Sequence, residues 1–197
     1  VTGADRTPGA TGPAVAIGEV TVADVAGTRA VAAAVAAVLR PGDLVVLTGG
    51  LGAGKTAFTQ GLAAALGVTE AVTSPTFTLV RSYATASGTD LIHADIYRLE
   101  HLREVVDLGL PELLEEDACA VVEWGERAVA ALPDEYLSVV IEPVGDVTGR
   151  VVRLVAVGPT WTARTDALRR RLPATSGPDA TPAPTVSGAT GTEAATR

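Results

Sequence analysis

The sequence predicts a layered α/β fold with a mixed sheet flanked by helices, and three observations carry that expectation. Short apolar, β-branched runs alternate with segments whose apolar residues recur at helical spacing. A glycine-rich turn joins one such run to the helix that follows it. The last two strands read as a hairpin over a Pro/Gly turn, which adds antiparallel pairing. With 197 residues and 47% apolar content, the chain is long enough for one well-packed domain and too short for two large ones.

In chain order, Ile17 to Val22 reads as a strand. Asp24 to Leu39 reads as a helix, because Val31, Val35, Val38 and Leu39 share one face and Asp24 or Thr28 can act as N-cap. Leu44 to Leu47 is the apolar centre of a buried strand. From Thr56 to Leu66 the residues Phe58, Leu62 and Leu66 recur every fourth position and Gly67 supplies a C-cap, so this segment is helical. Phe77 to Tyr83 and Leu91 to Asp95 follow as strands, then a helical region from Leu99 to Glu116 interrupted by Gly109 and Pro111. Ala120 to Glu123 is a strand running straight into a helical segment. Leu137 to Glu142 and Val151 to Val157 form the hairpin, and Thr162 to Leu172 a closing helix. Residues 1–16 and 174–197 are rich in Gly, Thr, Ala and Pro without aromatics and are expected to be disordered, leaving 17–173 as the folded domain.

The balance of 15 basic against 23 acidic residues gives a net charge of −8, the wrong sign for a chain that grips nucleic acid unaided. Any link to RNA therefore has to run through a partner. The single cysteine, Cys119, can form no internal disulfide; it reads as a small core residue and suits a reducing cytoplasm. The longest apolar stretch, Ala30 to Leu39, is too short to cross a membrane and lies between Arg29 and Arg40, so neither a span nor a signal peptide is expected.

The pattern G-x-x-x-x-G-K-T falls on Gly49, Gly50, Leu51, Gly52, Ala53, Gly54, Lys55 and Thr56, and Lys55 is the sole lysine of the chain. A compact ammonium on a flexible stem can enter a ring of backbone N–H groups and reach the β- and γ-phosphates of a nucleotide, where a planar guanidinium is too bulky. The strand before the loop and the helix after it set the helix N-terminus against those phosphates. The domain is thus P-loop NTPase-like, with Gly49 to Ala57 as its nucleotide-binding stretch. Lys55 occupies the place of the last glycine in a dinucleotide G-x-G-x-x-G fingerprint, which disfavours that fold.

Hydrolysis also needs a metal shell and a group that orients the attacking water. Asp95 and Glu123 each end a predicted strand. If both strands run parallel to the one before the loop, both carboxylates open on the nucleotide crevice. Thr56 then offers its hydroxyl to Mg²⁺, Glu123 completes the metal shell, and Asp95 either orients the water or supports the groups around it. Lys55, Asp95 and Glu123 make up the expected catalytic set. Ser74, Pro75 and Thr76 lie where nucleoside triphosphatases often place a loop sensing the γ-phosphate, with a plain proline turn as the alternative. Arg98 either sits on the surface or reaches phosphate. Trp124 reads as core packing, and Arg169 to Arg171 as the solvated end of the last helix. His93 and His101 lack partners at ligand spacing, so no zinc site is expected.

Five blocks follow in the order and spacing of the TsaE family, also called YjeE: GLGAGKTAFTQGL from Gly50, SPTFTLV from Ser74, HADIYRL from His93, DLGL from Asp107 and VEW from Val122. The chain resembles that family over about residues 19–158. The resemblance implies a small Mg²⁺-dependent ATPase needed to form threonylcarbamoyladenosine in tRNA. Such a protein docks on the TsaD–TsaB heterodimer, whose repeated cycles its ATP hydrolysis supports, and the tRNA would be held by those partners. Carried over, the family's metal ligands fall on Thr56 and Glu123, its aspartate on Asp95, its switch-like loop on Ser74 to Thr76 and its tryptophan on Trp124. Thr28 matches a threonine at the start of the first helix. Gly50, Ala57 and Ala94 depart from the family's usual aspartate, threonine and phenylalanine.

Three other functions compete. A GTP-dependent switch would select guanine through an N-K-x-D motif, and the chain contains no asparagine. A small-molecule kinase would usually carry an arginine-bearing lid, for which only Arg98, Arg127 and the terminal triplet are available. A nucleotide-dependent adaptor, with hydrolysis too slow to matter, is the third.

Overall fold

The computed structural model describes residues 14–115, 118–144 and 148–175. Among them, strands Ala14–Val22 (β1), Leu44–Thr48 (β2), Val80–Ala84 (β3), Asp90–Asp95 (β4), Cys119–Glu123 (β5), Tyr136–Pro143 (β6) and Arg150–Val157 (β7) form a single sheet in the order β1-β7-β6-β2-β5-β4-β3. The four inner strands, β6, β2, β5 and β4, are mutually parallel, whereas β1, β7 and β3 pair antiparallel at the margins. The helices are Val25–Ala36 (α1), Lys55–Ala65 (α2), Leu102–Val106 (α3), Leu110–Glu115 (α4), Pro159–Thr162 (α5) and Thr165–Arg169 (α6).

Strand alternation divides the core into two layers. Val45 and Leu47 of β2 face the layer holding Val31 and Val35 of α1, Phe58 and Leu62 of α2, and Trp161 and Leu168. Leu44 and Val46 face the other, with Val105, Leu110, Leu114 and Leu132. Register then decides where the acids stand. Leu47 lies opposite Glu123, and Glu123 lies opposite Asp95, so both carboxylates reach the C-terminal edge of the parallel strands beside the end of β2.

Several expected elements are adjusted by tertiary contacts. The segments 1–16 and 174–197 fall almost wholly outside the described residues, yet Ala14 to Ala16 already belong to β1, because β7 offers Val157, Ala156 and Val155 as ladder partners. Asp24, rather than Thr28, caps α1, its Oδ1 accepting from the Gly27 N–H at 2.9 Å; Thr28 is buried. The strand expected from Phe77 starts only at Val80. Leu79 takes φ 64° and its N–H closes a turn on the Pro75 carbonyl at 2.6 Å, leaving Phe77 85% exposed. The region 99–116 is two short helices parted at Gly109, whose φ of 67° no continuing helix allows. Two 3₁₀ turns, Gly125–Arg127 and Val129–Ala131, replace the helix expected after Glu123.

The closing helix is likewise split. Buried Arg164 sits at the break, clamping the Asp43 carboxylate with two N–H groups at 2.5 and 2.7 Å and donating to the Val38 carbonyl at 2.9 Å. Arg169 is not a merely solvated end, since it donates to the Ile17 and Ala16 carbonyls of β1, both at 2.7 Å. Cys119 is the expected small core residue: burial pushes its thiol up to about 11, and its Sγ–H faces the Arg40 carbonyl at 3.0 Å.

Candidate nucleotide-binding site

The loop between β2 and α2 is shaped by close approach at one end and by left-handed backbone at the other. A Cβ on Gly49 would meet the Ile141 carbonyl oxygen of β6 at 2.3 Å, so nothing larger fits there. Gly54 takes φ 112°, which ends the loop and lets α2 begin at Lys55. Lys55 is buried, and its Nζ donates to the Gly49 and Gly50 carbonyls at 2.7 and 2.9 Å. Burial lowers its pKa from the ordinary lysine value, against the opposing pull of the Glu123, Glu126 and Asp95 charges.

A cleft of about 430 Å³ opens beside the loop and gathers most of the expected residues: Leu51, Gly52, Gly54, Lys55, Thr56 and Ala57 on one side, and Ser74, Thr76, Asp95, Glu123 and Trp124 on the other. Gly49, Gly50, Ala53 and Pro75 are not among the lining residues, and neither is Arg98, whose guanidinium lies 4.5 Å from the Phe77 ring centroid.

Period-two alternation points Val121 and Glu123 of β5, and His93 and Asp95 of β4, to the α2 side of the sheet. There the Thr56 hydroxyl donates to Glu123 Oε1 at 2.9 Å. Buried His93 donates from Nε2 to the same oxygen, also at 2.9 Å. Asp95 serves a different group. Its Oδ2 accepts from the hydroxyls of Ser74 at 2.8 Å and Thr76 at 2.9 Å, and its Oδ1 accepts from the Tyr97 N–H at 3.0 Å. As it stands, Asp95 ties the Ser74–Thr76 loop to the sheet edge.

Trp124 packs against the core, as expected, and also lines the cleft. Its φ of 64° turns the chain immediately after β5 while its N–H still bonds the Leu47 carbonyl at 2.9 Å. The indole thereby lies over the loop, with Lys55 Nζ 3.5 Å from the ring centroid. Tyr97 packs against it at 4.8 Å between centroids, and Arg127 bonds the Tyr97 carbonyl at 2.7 Å.

Sequence reasoning missed His93, Tyr97 and Arg150 as parts of this neighbourhood. His93 carried a usable signal, since a residue two before Asp95 on a strand must share its face. Arg150 carried none. It lies 97 residues beyond Ala53, whose carbonyl accepts its Nε–H at 2.8 Å.

The donor set suits a hard divalent ion that shares its shell with phosphate. Thr56 and Glu123 supply a hydroxyl and a carboxylate oxygen, already within hydrogen-bond distance of each other. Among the described residues, no group of three or more His, Cys, Asp or Glu could hold an ion alone. Mg²⁺ is commonly held in this way, by one or two side chains with phosphate oxygens and water completing the octahedron.

The fold and the loop together define an α/β protein of the P-loop class, in which the glycine-rich turn and helix N-terminus face the crevice at the strand ends. Within that class the chain belongs to the TsaE family: the family model described as "Threonylcarbamoyl adenosine biosynthesis protein TsaE" matches residues 22–151. A Bacillus subtilis protein named tRNA threonylcarbamoyladenosine biosynthesis protein TsaE is 41% identical over 143 residues, covering 73% of this chain and 88% of the relative. A Streptomyces coelicolor protein of the same name is 46% identical over 131 residues, 64% of this chain and 88% of its own length. The crystal structure of Bacillus subtilis YdiB superposes with a TM-score of 0.67 at 33% identity, covering 81% of this chain and 97% of that one. Of the family's usual side chains, the aspartate replaced by Gly50 would point into open space, since a Cβ there meets nothing within 4 Å. No helix among the described residues is long and apolar enough to cross a membrane.

Proposed function

We propose that the protein binds Mg²⁺-ATP in this cleft and hydrolyses it in support of threonylcarbamoyladenosine formation in tRNA, acting with TsaD and TsaB. The observation that carries the proposal is the pairing of Thr56 with Glu123 beside Lys55, at the head of α2 and inside one cleft. Backbone amides of the loop bind the phosphate tail, and Lys55 leaves the Gly49 and Gly50 carbonyls to meet the β- and γ-oxygens. Mg²⁺, when bound, neutralises charge developing on the phosphates. Thr56 and Glu123 would hold it, with His93 keeping the Glu123 carboxylate turned toward Thr56. Asp95 positions Ser74 and Thr76 at the entrance, and Tyr97 packs on Trp124 beside them. The net charge of −8 is consistent with a tRNA held by the partners.

A second reading, a nucleotide-dependent adaptor with negligible hydrolysis, is favoured by one feature. Both carboxylate oxygens of Asp95 are engaged by protein groups, Oδ2 by the Ser74 and Thr76 hydroxyls and Oδ1 by the Tyr97 N–H. The deciding measurement is phosphate release from ATP by the purified chain, alone and with TsaD and TsaB. Weak release that rises with the partners is expected. A rate unchanged by them would favour the adaptor, and absence of nucleotide binding with Mg²⁺ present would remove both readings.

A further inference from the structure

A loop of glycines can present its peptide units either way round at little steric cost, so something outside the loop has to decide which groups meet an anion. Two contacts from the β6–β7 hairpin do so. At the front, the Ile141 carbonyl of β6 closes on Gly49, as the 2.3 Å approach of a built Cβ attests. At the far end, Arg150 at the start of β7 donates from Nε to the Ala53 carbonyl at 2.8 Å and from Nη2 to the Gly52 carbonyl at 3.2 Å. A third donor, Nη1, holds the Gly149 carbonyl at 2.8 Å, anchoring the guanidinium to its own strand end.

In a trans peptide the N–H of the next residue points opposite to the C=O. Drawing the Ala53 carbonyl toward β7 therefore turns the Gly54 N–H away from Arg150, and Gly54 lines the cleft, whereas Arg150 is not among its lining residues. The Gly52 contact acts differently. It braces the turn in which the Ala53 N–H bonds the Gly50 carbonyl at 3.2 Å. Released from Arg150, either carbonyl could swing inward and set a partial negative charge against phosphate.

We infer that Arg150 is a positioning residue for the phosphate loop: it acts from behind through two carbonyls, turning the Gly54 amide toward the anion and bracing the turn before it. The inference rests on the nucleotide reading given above for its functional meaning, though not for its structural content. Its Nε, Nη1 and Nη2 reach three carbonyls from three separate nitrogens, a spread that the single nitrogen of a lysine, which keeps the charge, does not reproduce.

The test compares Arg150→Lys and Arg150→Gln with the parent chain. In nucleotide-free protein, hydrogen exchange at the amides of residues 52–54 is expected to quicken about tenfold in both variants, while β2 and β5 stay protected. Unchanged exchange in the loop overturns the inference. ADP and ATP affinities should fall about tenfold in both variants. Parental affinity in Arg150→Lys would show that charge alone suffices, which also overturns it. Should Arg150→Gln fail to fold, Arg150→Lys carries both measurements. Should the parent chain bind neither nucleotide, the nucleotide reading has failed and loop exchange alone decides the role of Arg150.

Discussion

The loop Gly49–Thr56 meets the cleft with peptide groups and a single ammonium, whereas the opposite wall meets it with side chains: the Glu123 carboxylate, and the hydroxyls of Ser74 and Thr76 gathered on Asp95. The first wall depends on backbone shape. A side chain at Gly50, whose Cβ would meet nothing within 4 Å, leaves the peptide units in place. The second depends on particular atoms 2.8–2.9 Å apart, with little freedom to substitute. Lys55 links the two, since it bonds loop carbonyls, lies over Trp124 and feels the charges of Glu123 and Asp95.

The largest expected effect comes from removing that link. Lys55→Ala should lower ATP turnover by roughly a thousandfold, about 4 kcal/mol of transition-state stabilisation, with nucleotide binding also weakened. Turnover near the parental rate would place the chemistry elsewhere. Next comes the close approach behind the loop. Gly49→Ala sets a methyl against the Ile141 carbonyl and should cost about 3 kcal/mol of stability by chemical denaturation, whereas Gly50→Ala, whose Cβ meets nothing, should stay within about 0.5 kcal/mol. Equal losses at the two glycines would break the claim that backbone shape governs this wall.

On the acid wall, Glu123→Gln keeps the shape and loses the charge. It should spare nucleotide binding without Mg²⁺ and reduce Mg²⁺-dependent turnover by about a hundredfold. A titration of Mg²⁺-free binding sharpens the coupling between the walls. On the proposed function the ammonium form of Lys55 meets phosphate, so affinity should fall as pH rises through its pKa, which burial already holds below the lysine norm. Glu123 opposes that lowering, and Glu123→Gln should therefore move the alkaline fall in affinity to lower pH. An unmoved limb would show the two walls to be electrostatically independent.

The glycine loop and its flanking elements were legible in the sequence because their signals are local: a β-branched run, glycines at fixed offsets, and apolar residues every fourth position. The boundaries were less so. The interruption at Gly109 was visible from the glycine itself, whereas Arg164 breaks a pattern that periodicity extends, through a buried ion pair with Asp43, far away in sequence. The place of Trp124 in the site came from the family resemblance and not from its local pattern, since its left-handed turn and the bond from its N–H to the Leu47 carbonyl on β2 are tertiary features.

What the sequence determined alone was the chemistry on offer, because residue type and short spacing specify a phosphate nest, one ammonium, and two acids at strand ends. What only the tertiary structure decided was the partner of each group. Parallel register brings Glu123 beside Thr56 and places Asp95 under the Ser74–Thr76 loop, and the hairpin delivers Arg150 to the back of the glycines. Those pairings join residues that are distant along the chain, and the contacts that select them exist only once the sheet has assembled.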